Sequence, residues 1–368
     1  MLSFYRVFPA FLLFLAGLTI CCSISNAQVS QIETAFKEAA DNGFSGVLLV
    51  ADHGKVVFEK ATGYRSFESQ TPLLTTDVFE LASVSKQFTA MMVMICAEKG
   101  LLEYDDLMEK YLDIPYPGIS VRQLLSHTNG LPDYQAVMDA HWDKSKVAGN
   151  KDILEYLRRY QPPVLSAPGL KYEYSNTGYV LLASIVEEVT GRDFIELSRE
   201  WIFKPLGMTA TDIRTLEEKA NVANFAAGHL KGQNGNYINA NKFHSSDYTV
   251  WLGNRKGPGR ISSTAQDLLK WDQALYTEKL VTNATLGEAF SPTRLNVGTM
   301  SDYGFGWEIQ TDPTFGKIVL HTGDNPGYKT LIIRLIDQNK TLILLNNNSH
   351  PSRDPLLRQV MEAFKEGG

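Results

Sequence analysis

Hydrophobic positions follow two rhythms that change along the chain. Ile32, Ala35, Phe36 and Ala39 recur at helical spacing behind Ser30, an acceptable N-cap, and predict a helix to about residue 42. Residues 45–51 and 55–61 then read as two strands around the turn Asp52-His53-Gly54. The far end has the same character. Residues 303–309, 317–321, 330–336 and 341–345 are strand-like, and 354–365 carries the period of a closing amphipathic helix. The short link 337–340 favours antiparallel neighbours. Between these ends the period is helical, at 88–99, 153–160, 178–190 and 194–202, with loops marked by Pro and Gly. Residues 228–257, rich in Gly and Asn, predict a long irregular segment of the sort that often serves function.

This pattern predicts an α+β fold in which an antiparallel sheet flanked by helices is built from both termini, with an all-helical lobe inserted. The α/β part takes about 28–85 and 255–368, and the lobe about 86–254. No internal repeat or low-complexity linker divides the chain, so residues 28–368 read as a single domain.

The first residues do not fit that scheme. Arg6 precedes an apolar run over 7–20, and Ser25-Asn26-Ala27 offers small residues for cleavage, the layout of an export signal over 1–27. The run is shorter than the roughly 20 residues a membrane span needs, so a periplasmic or secreted protein without stable membrane insertion is expected. A lipoprotein anchored through Cys21 or Cys22 is the weaker alternative, because Ile20 and Cys21 replace the small residue wanted before a lipidated cysteine. Cleavage leaves Cys96 as the one cysteine, within the apolar stretch 91–96, which reads as buried filler and excludes an internal disulfide. A net charge of −6 with scattered Lys and Arg gives no electrostatic case for nucleic acid. His53, His141, His229, His244 and His350 lack metal-ligand spacing, so no metal and no cofactor are expected.

Three short segments carry candidate chemistry. In Ser83-Val84-Ser85-Lys86, ahead of a helical run, Ser83 and Lys86 fall on one helix face at i and i+3. A serine hydroxyl needs a base to become a nucleophile, and a lysine serves only if burial or nearby positive charge keeps it neutral. The bland alternative is an N-cap serine with a solvated lysine. In Tyr174-Ser175-Asn176, a phenol beside a lysine can shuttle protons, and the amide of Asn176 can hold a substrate amide. A core tyrosine with a satisfied hydroxyl is the alternative there. Tyr237-Ile238-Asn239 repeats the spacing without a helix to fix it. In His321-Thr322-Gly323, Gly323 permits close approach of a substrate backbone, Thr322 can donate to a carbonyl or carboxylate, and His321 adds a pH-dependent donor. A turn after a strand would explain the same tripeptide.

In this order the three segments resemble the penicillin-binding protein and class C β-lactamase superfamily of serine hydrolases. Leu124-Leu125-Ser126-His127-Thr128-Asn129-Gly130-Leu131-Pro132, Thr177-Gly178-Tyr179, Pro205-Leu206-Gly207-Met208 and Ser263-Thr264-Ala265-Gln266-Asp267-Leu268 extend the resemblance over about residues 30–366. It implies a β-lactamase/transpeptidase-like fold and an acyl-enzyme mechanism, with a small-molecule or peptide substrate. Ser83 would be the nucleophile, Lys86 the base, Tyr174 a proton carrier and Asn176 a substrate ligand. The backbone N–H groups of Ser83 and Asp324 would form the oxyanion hole, and His127 would be structural. The D-Ala-D-Ala carboxypeptidase, esterase and D-aminopeptidase branches are implied before a β-lactamase, which usually carries lysine where His321 stands. A non-catalytic binding relative is disfavoured by the retention of Ser83, Lys86 and Tyr174. Asp324 departs from the small residue common at its place. Its carboxylate would repel anionic substrates if it faced the cleft, whereas strand alternation turns it from the His321 face.

Overall fold

The computed structural model describes residues 23–365. The apolar run 7–20, Cys21 and Cys22 lie outside the described residues, and with them the body of the expected export signal. The small triplet does not. The first helix, α1 (Asn26–Asp41), begins inside it, one turn earlier than the predicted cap at Ser30. Ser25 wins as N-cap because it and Gln28 satisfy each other's amides in a capping box, and Gln28 Nε2 donates to Ala363 O at 2.8 Å.

The expected sheet forms from both termini. Its six strands are β1 (Gly46–Asp52), β2 (Lys55–Thr62), β3 (Glu308–Asp312), β4 (Gly316–Asn325), β5 (Tyr328–Leu335) and β6 (Lys340–Asn346). Their order is β3-β4-β5-β6-β1-β2, antiparallel throughout, so β1 lies between β6 and β2 with Leu49 opposite Ile343. Every residue of β1 is buried because both faces of the sheet are covered. Val47, Leu49 and Ala51 face the core shared with the helical region. Leu48 and Val50 face a second core with Ile32 and Phe36 of α1, and with Leu356 and Val360 of a closing helix. A one-residue slip would exchange these faces, which fixes the register.

The other long helices are α2 (Lys86–Glu98), α3 (Asn150–Tyr160), α4 (Asn176–Thr190), α5 (Ala265–Ala274) and α6 (Arg353–Lys365). Cys96 is buried in α2, and burial pushes its thiol up to about 12. Helix α5 is tied to the sheet through Asp272, which ion-pairs with Arg334 of β5 and accepts from Thr341 Oγ1 of β6 at 2.6 Å.

Two expectations need correcting. The strand predicted at 303–309 starts only at Glu308 and continues to Asp312. Gly306 adopts φ +79° and lies against α2, where a Cβ would stand 3.0 Å from Lys86 O, so residues 303–307 bend across the helix. The segment predicted as irregular contains a hairpin, His229–Lys231 with Tyr237–Asn239, and short helical turns.

Candidate active site

Ser83 sits in a 3₁₀ turn, Ala82–Ser85, that runs directly into α2. Ala82, just before it, takes φ +49°, a left-handed conformation that costs a non-glycine residue about 1–3 kcal/mol and must be held by its surroundings. The hold comes from the sheet. Thr330 Oγ1 donates to Leu81 O at 2.7 Å, and Gly323 is packed against the same turn. A Cβ on Gly323 would lie 2.3 Å from Leu81 O and 3.2 Å from the Ala82 Cβ. The glycine therefore admits the Ser83 turn itself, a neighbour its sequence context did not indicate. The close approach also brings the Asp324 amide alongside the turn whose leading N–H groups have no intrahelical partner.

Lys86 is fully buried, with Nζ 3.1 Å from Ser83 Oγ, 2.8 Å from Asn176 Oδ1 and 3.0 Å from Pro258 O. No carboxylate is paired with it among the described residues. Burial, and secondarily the positive charge of Arg255, holds its pKa well below the usual lysine value. The three contacts suit the neutral amine. Two N–H bonds go to carbonyl oxygens, which can only accept, and the lone pair is left for the Ser83 hydroxyl.

Tyr174 and Asn176 are set by the N-terminus of α4. Ser175 caps it, with its Oγ accepting from Gly178 N–H at 3.1 Å. The loop 124–132 clamps this start. Glu173 N–H donates to His127 O (2.8 Å), Ser175 N–H to His127 Nδ1 (3.0 Å) and Thr177 Oγ1 to Pro132 O (2.7 Å). His127 is thus a buried neutral ring, protonated on Nε2, with its centroid 4.3 Å from that of Tyr174 and the two rings tilted by 42°. Tyr174 is 42% exposed, yet its hydroxyl reaches inward to hydrogen-bond Ser83. Desolvation raises that hydroxyl above the usual phenol range, so it rests protonated, contrary to the phenolate character a lysine neighbour would confer. Lys86 Nζ lies 4.7 Å from the ring centroid, but a neutral amine exerts no such pull.

The third segment lies within β4. Because β3 pairs with β4 only as far as Leu320, residues 321–325 have β5 on one side and no strand on the other among the described residues. That leaves an open edge beside Ser83. His321 does not offer the side-chain donor expected of it. The ring is buried, Nδ1 donates to Thr322 O (2.6 Å), and Nε2 accepts from the Tyr303 hydroxyl (2.9 Å). Burial depresses its pKa to about 3. Thr322 is exposed on the opposite face. Asp324 also points outward and ion-pairs with Lys329 across the β4–β5 ladder, so its charge is met outside the cleft.

The structure brings Ser83, Lys86, Tyr174, Asn176 and the 321–324 edge together. Tyr237 goes elsewhere, its ring 4.6 Å from that of Phe67. Pro258, Arg255 and Tyr303 escape a reading by motif, because each acts through a contact distant in sequence. Gly257-Pro258-Gly259 was the available signal. Gly257, at φ +109°, fits where a Cβ would lie 2.0 Å from Tyr179 O, and this carries Pro258 O to Lys86. Among the described residues no group of three or more His, Cys, Asp or Glu is placed to hold a metal ion.

A buried amine aimed at a serine hydroxyl, with a phenol and an amide alongside, is the equipment of a serine acyl-hydrolase. The chain matches the family described as Beta-lactamase over residues 31–364, and it belongs to that family, within the penicillin-binding protein and class C β-lactamase superfamily of serine hydrolases. Penicillin-binding protein 4* of Bacillus subtilis (strain 168) is 39% identical over 321 residues, which are 86% of this chain and 71% of that protein. A D-aminopeptidase of Brucella anthropi is 26% identical over 330 residues, 88% of this chain, and the match spans 60% of that relative's length. Among solved structures, an octameric penicillin-binding protein homologue from Pyrococcus abyssi aligns with a TM-score of 0.78 at 25% identity, covering 92% of this chain and 78% of that one.

Proposed function

We propose that this protein is an exported hydrolase that forms an acyl-enzyme on Ser83 and cleaves esters or D-amino-acid amide and peptide bonds. The observation that carries the reading is the set of partners around Lys86 among the described residues: two carbonyl oxygens, a serine hydroxyl and no counterion. Lys86 takes the Ser83 proton as Oγ bonds to the substrate carbonyl carbon. The resulting oxyanion is met by the N–H groups of Ser83 and Asp324, donors of a kind worth about 2.7–4 kcal/mol each. Tyr174 passes its proton to the leaving group as the C–N or C–O bond breaks, and is reprotonated from Lys86. Water then attacks the acyl carbon, its proton returns through the same pair, and Ser83 is released. Asn176 keeps Oδ1 on Lys86 and presents Nδ2 to the substrate, which lies along the open edge of β4.

The names of the relatives, a penicillin-binding protein and a D-aminopeptidase, support D-configured amide substrates, small molecules or peptides. A class C-like β-lactamase is the second reading. It is weakened by His321, which is neutral at physiological pH and supplies no cation for a β-lactam carboxylate. A periplasmic or secreted location rests on the signal-like first residues. No helix among the described residues is long and apolar enough to cross a membrane. Intact-mass spectrometry after exposure to a fluorophosphonate, a β-lactam and a D-Ala-D-Ala peptide tests the reading. A single adduct mapping to Ser83 and lost in Ser83→Ala is expected; labelling that survives the substitution would refute it.

A further inference from the structure

One acid at the mouth of the cleft has no partner. Glu308 is the first residue of β3, opposite Leu320, and it also bridges to Tyr303, whose hydroxyl holds His321. It therefore stands where the edge of β4 opens. Its side chain is half-buried, and among the described residues its carboxylate has neither an ion-pair nor a hydrogen-bond partner. Its charge reaches both Tyr172 and Tyr174, which places it on the Tyr174 side of the cleft. Burial accordingly holds it above the usual carboxylate range.

A carboxylate partly removed from water without a counterion is costly, and a cation brought by the substrate would offset that cost. The other groups around it sharpen the preference. Tyr172 is 41% exposed, with its ring 5.7 Å from that of Tyr303, and it offers a face to the same cation. His321 is uncharged, Lys86 is buried behind Ser83, and Lys329 is occupied by Asp324. Of the residues described at this cleft, none offers a free cation to a substrate carboxylate.

We infer that Glu308 sorts substrates by charge, accepting the ammonium of one with a free amine beside the scissile bond and turning away one with a free carboxylate there. This rests on the hydrolase reading above and adds to it the substrate class, unblocked D-amino-acid amides and peptides.

The test is kcat/KM for D-phenylalanine p-nitroanilide and for its N-acetyl and N-succinyl derivatives, measured on the parent, Glu308→Gln and Glu308→Lys. Fluorophosphonate labelling rate serves as a check on folding. The parent should prefer the free amine over the acetyl form, and the succinyl form should be poorest. Glu308→Gln should lower the amine-to-acetyl ratio about tenfold, mainly through KM, and Glu308→Lys should place the succinyl form first. Turnover with a ranking that neither variant changes would overturn the role of Glu308 and leave the hydrolase reading standing. Cleavage of a short-chain nitrophenyl ester but of none of the three anilides would also overturn it. Failure to cleave any of the four would instead refute the hydrolase reading.

Discussion

Two fully buried cationic side chains show how burial can be put to opposite uses. Arg334 crosses from β5 to α5 and meets the carboxylate of Asp272, which also accepts from Thr341. Lys86 is equally buried but meets only a hydroxyl and two carbonyls, with Arg255 adding positive charge nearby. In the first case desolvation is answered by a counterion, and the pair joins helix to sheet. In the second it is unanswered, and the amine gives up its proton instead. A counterion makes a buried cation structural; withholding one makes it a base.

Replacing each residue should therefore fail in a different assay. Lys86→Met removes the base and should lower the acylation rate about 10³–10⁴-fold, the upper range for general-base catalysis, while stability stays within about 1 kcal/mol. In the parent the rate should rise with pH through the depressed Lys86 pKa, and Tyr174 should remain a competent acid well above neutrality. A methionine variant acylated at the parental rate would remove Lys86 from the chemistry. Asp272→Ala strands the Arg334 charge and should cost about 3–5 kcal/mol in urea unfolding, with kcat/KM nearly unchanged in the fraction that stays folded. If Asp272→Ala instead slows acylation as much as Lys86→Met, the division between the two sites is wrong.

The two sites also differ in how legible they are in sequence. The sheet could be read because β1, β5 and β6 each carry a run of strand-forming apolar residues, and because the link after β5 is too short for a crossover. Residues 303–307 misread as strand because Tyr303, Phe305 and Trp307 alternate as strand residues do, while Gly306, at φ +79° against α2, turns the chain off a strand path. At the site, Ser83, Lys86, Tyr174 and Asn176 stood out by spacing. What was not legible was the state of each group. The neutrality of Lys86 depends on Pro258 and Arg255, and the burial of His321 on Tyr303, through contacts that no local pattern encodes. Gly323 is an intermediate case, conspicuous in sequence but with a neighbour, the Ser83 turn, that the sequence did not name. Gly323→Ala should displace the Ser83 turn by a few tenths of an ångström or more, because its Cβ would meet Leu81 O and Thr330 Oγ1. About a 10²-fold fall in kcat/KM is expected, with much less effect on unfolding. Parental activity in this variant would show that the turn has room to adjust.

The smallest expected effect concerns protons the folded site refuses. His321 is buried and neutral, with its pKa depressed to about 3, and His127 is shifted the same way. In the unfolded chain each titrates near 6.5. Between those values the unfolded chain binds protons that the folded chain does not, so stability is lost as pH falls below about 6.5. One pH unit below that point, near 5.5, each such histidine costs about 1.4 kcal/mol, while ordinary carboxylates are still ionised. His321→Gln can still accept from the Tyr303 hydroxyl and donate to a carbonyl, but it cannot take up a proton. The fall in Tm from pH 7 to pH 5.5 should therefore be smaller in the variant than in the parent. An equal fall in both proteins would mean that His321 is not held neutral, and would remove the main physical argument against a carboxylate-bearing substrate at this site.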